Sequence, residues 1–389
     1  MTLPLSLAFP HTYSLRAALV VVGLLLILPT MAVEVDLLDG EPLRGARIQL
    51  DSESLRLDDG SEISLNDVDR IVLNPDHTPL PNDHHGLLLK DGSWLPYTSI
   101  SAIRDGVSVE TPLGTLNIPL GSVVAWGDPQ WVNEHRQHHQ DHIHLESGSI
   151  LRGTVLGINE GEVLLRSDEL SDEPLPFPLT EISDLHLALP IDRPRGLHFT
   201  SSLAVGQPGA RIVANDGSLH LQAHPKETIT LDNLGQLQVL GGRRAFLSDI
   251  PPSEVEEEGA FGTVWNYAVN ENIDGSPLKL GGTYYAYGLV IHSRARLSWK
   301  LEGNYVRFHT FLGISDAMIP HNVGDCEVSI YVDGERRWHQ GSVRVGEPPQ
   351  RIELDVTGAE KLTVVVDYGA RYDIGDHLAL AGAWLLRGE

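Results

Sequence analysis

His292 is the first side chain whose position suggests chemistry. It ends the apolar run in YGLVIHS, and Tyr284, Tyr285 and Tyr287 come shortly before it. An imidazole acts as a catalytic base when a nucleophile and an orienting acid lie beside it. The neighbouring residues supply no such set. The sequence therefore predicts a non-catalytic imidazole that bonds to a loop, either in the core or lining a ligand pocket.

A run of histidines raises the question of a metal site. His135, His138, His139, His142 and His144 lie within ten residues. If residues 131–142 were helical, the first four would share one face, and neutral imidazole is a good ligand for zinc or copper. No cysteine and no HExxH pattern accompanies them. We therefore interpret the run as a solvated polar linker, with a metal site as the alternative.

Signatures of catalysis are missing from the sequence. It contains no GxSxG, HExxH, phosphate-binding loop or dinucleotide-binding fingerprint. The single cysteine, Cys326, excludes an intramolecular disulfide and lies in the alternating pattern CEVSIYVDG, which predicts a small buried side chain. Glycoside hydrolysis needs two carboxylates positioned in a cleft, usually on a large scaffold. The sequence therefore predicts a protein that is not an enzyme.

Composition limits the classes of partner. The formal net charge is -25 over 389 residues. Nucleic acid and anionic membrane surfaces both require a basic footprint, which an acidic chain lacks. The charge therefore argues against nucleic acid as a partner.

The first 32 residues have the features of a targeting segment. Residues 1–16 carry one arginine and no acidic residue, and residues 17–32 form an apolar core that ends in small residues before Val33. This core is shorter than the roughly 20 apolar residues that a membrane-spanning helix needs. We predict a signal peptide over 1–32 that is cleaved, with an uncleaved membrane anchor as the alternative. Both place the protein in the periplasm, in the cell envelope or outside the cell.

The first half of the chain is repetitive. Gly40, Gly92 and Gly148 each follow Asp or Ser, and each has a leucine three residues later. Such dipeptides suit tight hairpins. A second signature ends each unit, as LNDVDRI, LGSVVAW, LTEISDL and the weaker LDNLGQL. We predict four tandem β-rich repeats, similar in fold to SH3 or Sm barrels, over residues 33–76, 84–128, 142–189 and, less clearly, 196–242.

The last third of the chain has a different pattern. The acidic, proline-containing stretch SDIPPSEVEEEG lies near its start. Beyond it come many short alternating runs with regular turns and no helical period, such as RIELDVTG. This pattern predicts an all-β antiparallel sandwich over residues 244–389.

The same region resembles the NPCBM domains, a family of carbohydrate-binding modules. The resemblance lies in SPLKLGGTYYAYGLVIHSRARLSWKLEGNYVRF, FLGISD, VSIYVDGERRW, LDVTGAEKLTVVVDYG and DHLALAGAWL. It implies a galactose-binding-like jelly-roll β-sandwich that binds glycans and is often attached to glycoside hydrolases. Calcium is bound structurally in some members of the superfamily. This chain departs from the family at Ser293 and in the DHLALAGA segment.

A glycan site needs flat apolar faces for sugar rings and planar polar groups for hydroxyls. The residues of these types that we predict to contact a ligand are Trp265, Tyr284, Tyr285, Tyr287, His292, Asp316, Asp373, Asp376 and His377. The three aspartates could also hold structural Ca²⁺. The predicted function is non-catalytic glycan or polysaccharide binding by an exported protein. The alternative is a cell-envelope scaffold that binds protein partners, with membrane contact only if the N-terminal segment stays uncleaved.

Overall fold

The alternating patterns of the first half fold into short antiparallel strands. The computed structural model describes residues 33–81, 83–134, 140–192, 196–215 and 218–388. Repeat 1 contains β1 (Val33–Leu37), β2 (Leu43–Gly45), β3 (Ile48–Leu50), β4 (Ser54–Leu57), β5 (Glu62–Ser64) and β6 (Val68–Val72). Repeat 2 contains β7 (Gly86–Leu89), β8 (Trp94–Pro96), β9 (Ser99–Ile103), β10 (Gly106–Thr111), β11 (Gly114–Pro119) and β12 (Val123–Gly127). The predicted β-rich character of both units is confirmed.

A short helix, α1 (Pro129–Glu134), comes before the third repeat. Repeat 3 contains β13 (Asp141–Leu145), β14 (Ile150–Asn159), β15 (Glu162–Ser167), β16 (Ser171–Pro178) and β17 (Ile182–His186). Repeat 4 contains β18 (His198–Ser201), β19 (Ala210–Asn215), β20 (Ser218–Leu221), β21 (His224–Ile229) and β22 (Gln236–Leu240). The fold-level similarity of the four repeats to SH3 or Sm barrels stays a prediction.

All four repeats end in the same way, and the second sequence signature explains why. Its first leucine opens a one-turn 3₁₀ helix, and the last strand follows directly in repeats 1 to 3 and after two further residues in repeat 4. These helices are Leu65–Asp67, Leu120–Ser122, Leu179–Glu181 and Leu231–Asn233. In each, the N–H of the residue after the helix donates to the carbonyl of that leucine, the i to i+3 bond of a 3₁₀ turn. The weaker fourth copy therefore shares the turn of the other three.

The repeats associate in pairs through their last strands. Within each repeat the first strand pairs with the last. In addition, β6 pairs with β22, where Ile71 lies opposite Leu237, and β12 pairs with β17, where Trp126 lies opposite Leu185. Repeats 1 and 4 thus share one eight-stranded sheet, and repeats 2 and 3 share another. All four of these residues are buried in one hydrophobic core.

Part of the histidine run lies in a strand. His142 and His144 belong to β13, so the linker interpretation is wrong for these two residues. His142 is 3% exposed, because β13 lies between β14 and β17 in the sheet. The Nδ1 atom of His144 lies 2.9 Å from a carboxylate oxygen of Asp184, and its ring stacks on Trp131. His135, His138 and His139 lie outside the described residues.

The last third folds into two packed antiparallel sheets, and the predicted β-sandwich is confirmed. One sheet consists of β25 (Ala268–Val269), β28 (Gly288–His292), β35 (His377–Arg387), β30 (Tyr305–Ile314) and β33 (Gln350–Asp355), with β23 (Arg244–Phe246) also pairing with β35. The other consists of β24 (Glu254–Glu257), β29 (Ala295–Lys300), β34 (Lys361–Tyr368), β31 (Asp325–Val332) and β32 (Glu335–Arg344). A separate hairpin joins β26 (Lys279–Leu280) to β27 (Thr283–Tyr284). Short 3₁₀ helices span Leu247–Asp249 and Asp316–His321.

The core of the sandwich lies between its two sheets. Trp299 and Phe308 are fully buried there, and Cys326 is buried with them as the sequence predicts. The Nε1 atom of Trp299 donates to the carbonyl of Ile250 at 2.9 Å, so the one polar atom of this ring is satisfied. The result is a rigid support for the loops at the ends of the strands.

Polar contacts join the repeats to the sandwich. Arg244, 6% exposed, bonds to the carbonyl of Val239 and to the carboxylate of Asp69. Arg307 donates to a carboxylate oxygen of Asp39 at 2.7 Å. Because these bonds connect β23 and β30 to repeats 1 and 4, one face of the sandwich lies against the repeats.

Candidate functional site

Two of the predicted site residues face each other at one end of the sandwich. His292 is the last residue of β28 and His377 is the first of β35, and the two are directly opposite in the sheet. Their rings meet edge to face, with centroids 5.5 Å apart. The Nδ1 atom of His292 lies 2.7 Å from the carbonyl oxygen of Ser293. The predicted bond between this imidazole and a loop is thus present.

Burial keeps both imidazoles neutral at physiological pH. It lowers the pKa of His292, although its bond to the Ser293 carbonyl acts in the opposite direction. Burial also lowers the pKa of His377, to about 4, with the nearby His292 as a second cause. Neutral rings provide one donor and one acceptor each rather than a positive charge.

Asp376 and Asp373 fix the loops around the two histidines. Asp376 is fully buried, and its two oxygens accept bonds from the Ser293 hydroxyl at 2.6 Å and from the Asp325 N–H at 2.9 Å. Burial raises the pKa of Asp376 to about 6. Asp373, 8% exposed, accepts a 2.8 Å bond from the N–H of Ala260. The bond of Asp373 holds the loop before β25 against the loop before β35, and the bonds of Asp376 connect that second loop to the residue after β28 and to the start of β31.

Large aromatic side chains stand exposed on these two loops. Trp265 is 50% exposed, and its ring lies 6.1 Å from that of His292. Phe261 and Tyr372 are 70% and 63% exposed and meet edge to face at 5.7 Å. Val264 and Ile374, on the same loops, are each about half exposed. We call Phe261, Val264, Trp265, Tyr372 and Ile374 the end patch.

The predicted site residues therefore divide into two groups. The structure brings Trp265, His292, Asp373, Asp376 and His377 together at the end patch. Only Trp265 among them is largely exposed, because the histidines and aspartates support the loops from below. Sequence reasoning missed Phe261 as a site residue. Its one signal is a bulky apolar ring between glycines in GAFG, where an exposed turn is expected.

The tyrosines lie elsewhere. Tyr284 ends β27, with the Lys279 ammonium 5.0 Å from its ring centre. Tyr287 is 5% exposed and stacks flat on Phe246 at 3.9 Å. It precedes β28 at the end opposite to His292, about 16 Å away along the strand. The chain between Tyr284 and Gly288 forms no strand, so the three tyrosines do not lie on one strand. Tyr287 is a packing residue rather than a ligand contact.

Asp316 has a structural function in the hairpin of β26 and β27. Its two carboxylate oxygens accept bonds from the N–H groups of Gly281 and Gly282, both at 2.8 Å. Gly281 has a φ of +59° and Gly282 a φ of +80°, a left-handed conformation that favours glycine. Asp316 therefore stabilises this turn.

The predicted aspartates do not fit a calcium site. Within the described part of the chain, no group of three or more His, Cys, Asp or Glu side chains is placed to hold a metal ion. Asp316, Asp373 and Asp376 each use their carboxylate oxygens to accept protein hydrogen bonds.

Comparison with known protein families identifies the sandwich. Residues 243–386 match the model of the NPCBM/NEW2 domain. This region is an NPCBM/NEW2 domain. The match begins one residue before β23 and ends within β35, so the family's pattern covers the sandwich and leaves the repeats unassigned. No curated protein matches the chain.

Several solved structures are similar to parts of the chain. A CBM51 module from Clostridium perfringens GH95, in complex with methyl-galactose, is 22% identical with a TM-score of 0.33, over 36% of this chain and 99% of that one. The CBM51-2 and INT domains of Clostridium perfringens ZmpB, in complex with GlcNAc, are 20% identical with a TM-score of 0.34, over 46% of this chain. The match spans only 36% of that chain's length. Tandem CBM51 modules of Sp3GH98 from Streptococcus pneumoniae are 12% identical with a TM-score of 0.33, over 78% of this chain and 88% of that one.

Proposed function

We propose that the NPCBM/NEW2 domain binds a glycan at the end patch. The observation that carries the proposal is the half-exposed ring of Trp265, held against the buried His292. A sugar ring stacks its C–H face on such an indole, while backbone groups of the surrounding loops bond to hydroxyls. The exposed rings of Phe261 and Tyr372 extend the platform beyond one sugar unit.

The loops bearing these rings are ordered before a ligand arrives, which supports a binding function. Asp373 fixes the loop of Phe261 and Trp265, and Asp376 fixes the start of β35. A pre-organised site loses less conformational entropy on binding. We propose that the domain acts by binding rather than by catalysis, since the carboxyl group with the raised pKa, Asp376, is buried and bonded on both oxygens.

An extracytoplasmic location is part of the proposal. Its support is the sequence of residues 1–32, which lie outside the described residues. No helix in the described part of the chain is long and apolar enough to span a bilayer.

The end patch also favours a second function, docking of a protein partner in the cell envelope. Val264 and Ile374 are 49% and 50% exposed beside the aromatic rings. Aliphatic side chains offer a sugar no flat stacking face, but they suit the apolar centre of a protein interface. If no glycan binds, docking of a protein partner replaces glycan binding as the proposed function of the end patch.

Titration of the full chain with glycans tests the proposal. Methyl-galactoside, N-acetylglucosamine and a glycan array serve as probes. We expect saturable binding of at least one glycan, and a loss of about fivefold or more in affinity for Trp265→Ala, equivalent to about 1 kcal/mol of stacking. Val255→Ala, which removes a 44% exposed side chain from β24, is the matched control and should bind normally. Absence of binding to every glycan would contradict the proposal.

A further inference from the structure

A cavity lies between the repeats and the sandwich. We call it the second cavity, because it is separate from the site proposed at the end patch. Its volume is about 300 Å³, at the lower end of small-molecule sites. Repeats 2 and 4 contribute Gly92 and Arg211, and the sandwich contributes Asn270, Tyr284 and Tyr285. Glu271 and Ala286 in its lining are exposed, so the cavity is open to solvent. It uses no residue of the end patch.

Arg211 brings a buried positive charge to this cavity. The side chain is 6% exposed, and its Nη1 atom is buried without a hydrogen-bond partner. It forms no ion pair with any carboxylate of the described residues. Its guanidinium lies 5.9 Å from the ring centre of Tyr287, a contact that contributes far less than an ion pair with matched hydrogen bonds. A buried guanidinium without an ion pair is costly, so the site favours an anionic ligand.

Asn270 adds a neutral donor. It is 9% exposed, and its Oδ1 atom accepts a 2.8 Å bond from the N–H of Gly288. That bond fixes the orientation of the amide, because only the oxygen can accept. The Nδ2 atom is buried and has no partner. Two side chains that line the cavity thus carry buried N–H groups without a hydrogen-bond partner, and a carboxylate or a hydroxyl can accept from such groups.

Two carboxylates near the cavity affect the electrostatic potential that an anionic ligand meets there. Asp91 interacts electrostatically with Arg211, but its Oδ1 atom accepts from the N–H of Ser93, and burial raises the pKa of its carboxyl. Glu271 is exposed in the lining and therefore hydrated. The net charge of -25 repels anions at long range, yet salt screens this repulsion beyond about 8 Å at physiological ionic strength.

We propose that this cavity binds the carboxylate of an acidic sugar, such as a uronic acid. The Arg211 guanidinium and the Asn270 amide donate hydrogen bonds to the carboxylate and to a ring hydroxyl. Tyr284 and Tyr285 supply aromatic surface for the sugar ring. The tyrosines favour a sugar over a peptide carboxylate, because sugar rings stack on flat faces. This site is independent of the neutral glycan site proposed at the end patch.

The test is calorimetric titration of the full chain with D-glucuronate at 0.15 M salt and pH 7. Glucose, which has the same ring without the carboxylate, acetate and N-acetyl-dialanine are the comparison ligands. We expect glucuronate to bind at least tenfold more tightly than each of these three. Binding of N-acetyl-dialanine or acetate as tight as that of glucuronate would overturn the assignment to a sugar, and equal binding of glucose and glucuronate would overturn the role of the carboxylate.

Two variants locate the site. Arg211→Gln should weaken glucuronate binding at least tenfold, whereas Arg104→Gln, at an exposed arginine, should not change it. If Arg211→Gln does not fold, Ile191→Glu takes its place. Ile191 lines the cavity and is 36% exposed. A Cβ atom added at Gly92 would lie 3.5 Å from the Ile191 Cγ2 atom and 3.4 Å from the Arg211 Nη2 atom, so both side chains border the same glycine. Ile191→Glu should weaken glucuronate binding several-fold by repulsion, while Ile191→Gln should not.

Unchanged glucuronate binding in both Arg211→Gln and Ile191→Glu would overturn the proposal, as would absence of binding to the wild-type chain. Trp265→Ala separates the two sites, because it should leave glucuronate binding unchanged. A loss of glucuronate binding in Trp265→Ala would place the acidic sugar at the end patch and contradict the second site.

Discussion

Tyr287 shows how one aromatic side chain can serve packing in a segment that looks like a ligand site. Its ring is nearly parallel to that of Phe246, at an interplanar angle of 9°, and the Arg211 guanidinium lies near it on the side of the repeats. The contact joins the start of the domain, in β23, to the residue before β28. Loss of this ring therefore affects the fold before it affects any ligand.

Replacement of Tyr287 tests this function. Tyr287→Ala should lower the free energy of unfolding by about 3 kcal/mol, because it leaves a cavity beside Phe246. Tyr287→Phe keeps the stacked ring and should change stability by less than about 1 kcal/mol. Urea denaturation of both variants measures the difference. Equal stability of Tyr287→Ala and the wild type would show that the ring does not support the fold.

The residue types of the site were predictable, but their grouping was not. The sequence identifies Trp265, His292 and His377 as polar or aromatic residues near strand ends. Their proximity depends on the register of β28 against β35, which places His292 opposite His377 although 84 residues separate them. Phe261 was missed because exposed aromatic rings on loops carry no periodic signal. The tyrosines lie apart from the end patch, because they fall from the end of the hairpin of β26 and β27 to the end of β28 that is opposite to His292.

At the scale of elements, β23 closes one edge of the sandwich. Arg244 lies opposite Leu386, and Phe246 lies opposite Trp384 in β35. Directly after it, Leu247 is 1% exposed and belongs to the sandwich core. The first eight residues of the predicted domain therefore contribute both a strand and a core side chain.

Truncation at this edge gives a prediction about the domain boundary. A fragment of residues 243–389 should fold alone and unfold in one cooperative step. A fragment of residues 251–389 should be less stable by about 2 kcal/mol or more, because it loses the burial of Leu247 and the pairing of β23. Urea denaturation followed by circular dichroism compares the two. Equal midpoints, or a longer fragment that stays unfolded, would contradict the proposed boundary near residue 244.

The strands of the repeats were predictable from alternation and turn residues, but their pairing was not. Gly92 and Gly148 follow Asp or Ser in the hairpins, with φ of +82° and +85°, as the dipeptide signals predict. Nothing local in LNDVDRI or LDNLGQL specifies that β6 pairs with β22. These last strands of repeats 1 and 4 are equally apolar, so their sequences do not indicate which strand each one pairs with. That pairing is set by the burial of Ile71 and Leu237 in a core shared by all four repeats.

At the scale of the whole molecule, buried histidines couple stability to pH. Burial lowers the pKa of His198 in repeat 4, and of His309 and His377 in the sandwich, to about 4. Between about pH 6.5 and 4, the unfolded chain binds more protons at these three sites than the folded chain. Stability is therefore lost as the pH falls through this window. Asp376, with its pKa raised to about 6, acts in the opposite direction, because its folded form binds the extra proton.

Thermal melts at pH 7 and pH 4.5 test this balance. Three histidines outweigh one aspartate, so we expect a lower Tm at pH 4.5 for the wild type. Asp376→Asn removes the opposing contribution of this carboxyl and should show a larger drop between the two pH values than the wild type. A Tm that rises on acidification, or an equal drop in the variant, would contradict the assigned protonation states.

The most direct test of the central claim compares two aromatic side chains on the same glycan. Trp265 belongs to the end patch, and Tyr284 belongs to the hairpin and to the second cavity. With the best neutral glycan from the array, calorimetric titration of the full chain should give a Kd at least fivefold weaker for Trp265→Ala. The Kd of Tyr284→Ala should equal that of the wild type. A Kd that is unchanged in Trp265→Ala, or the absence of any glycan that binds the wild-type chain, would contradict glycan binding at the end patch.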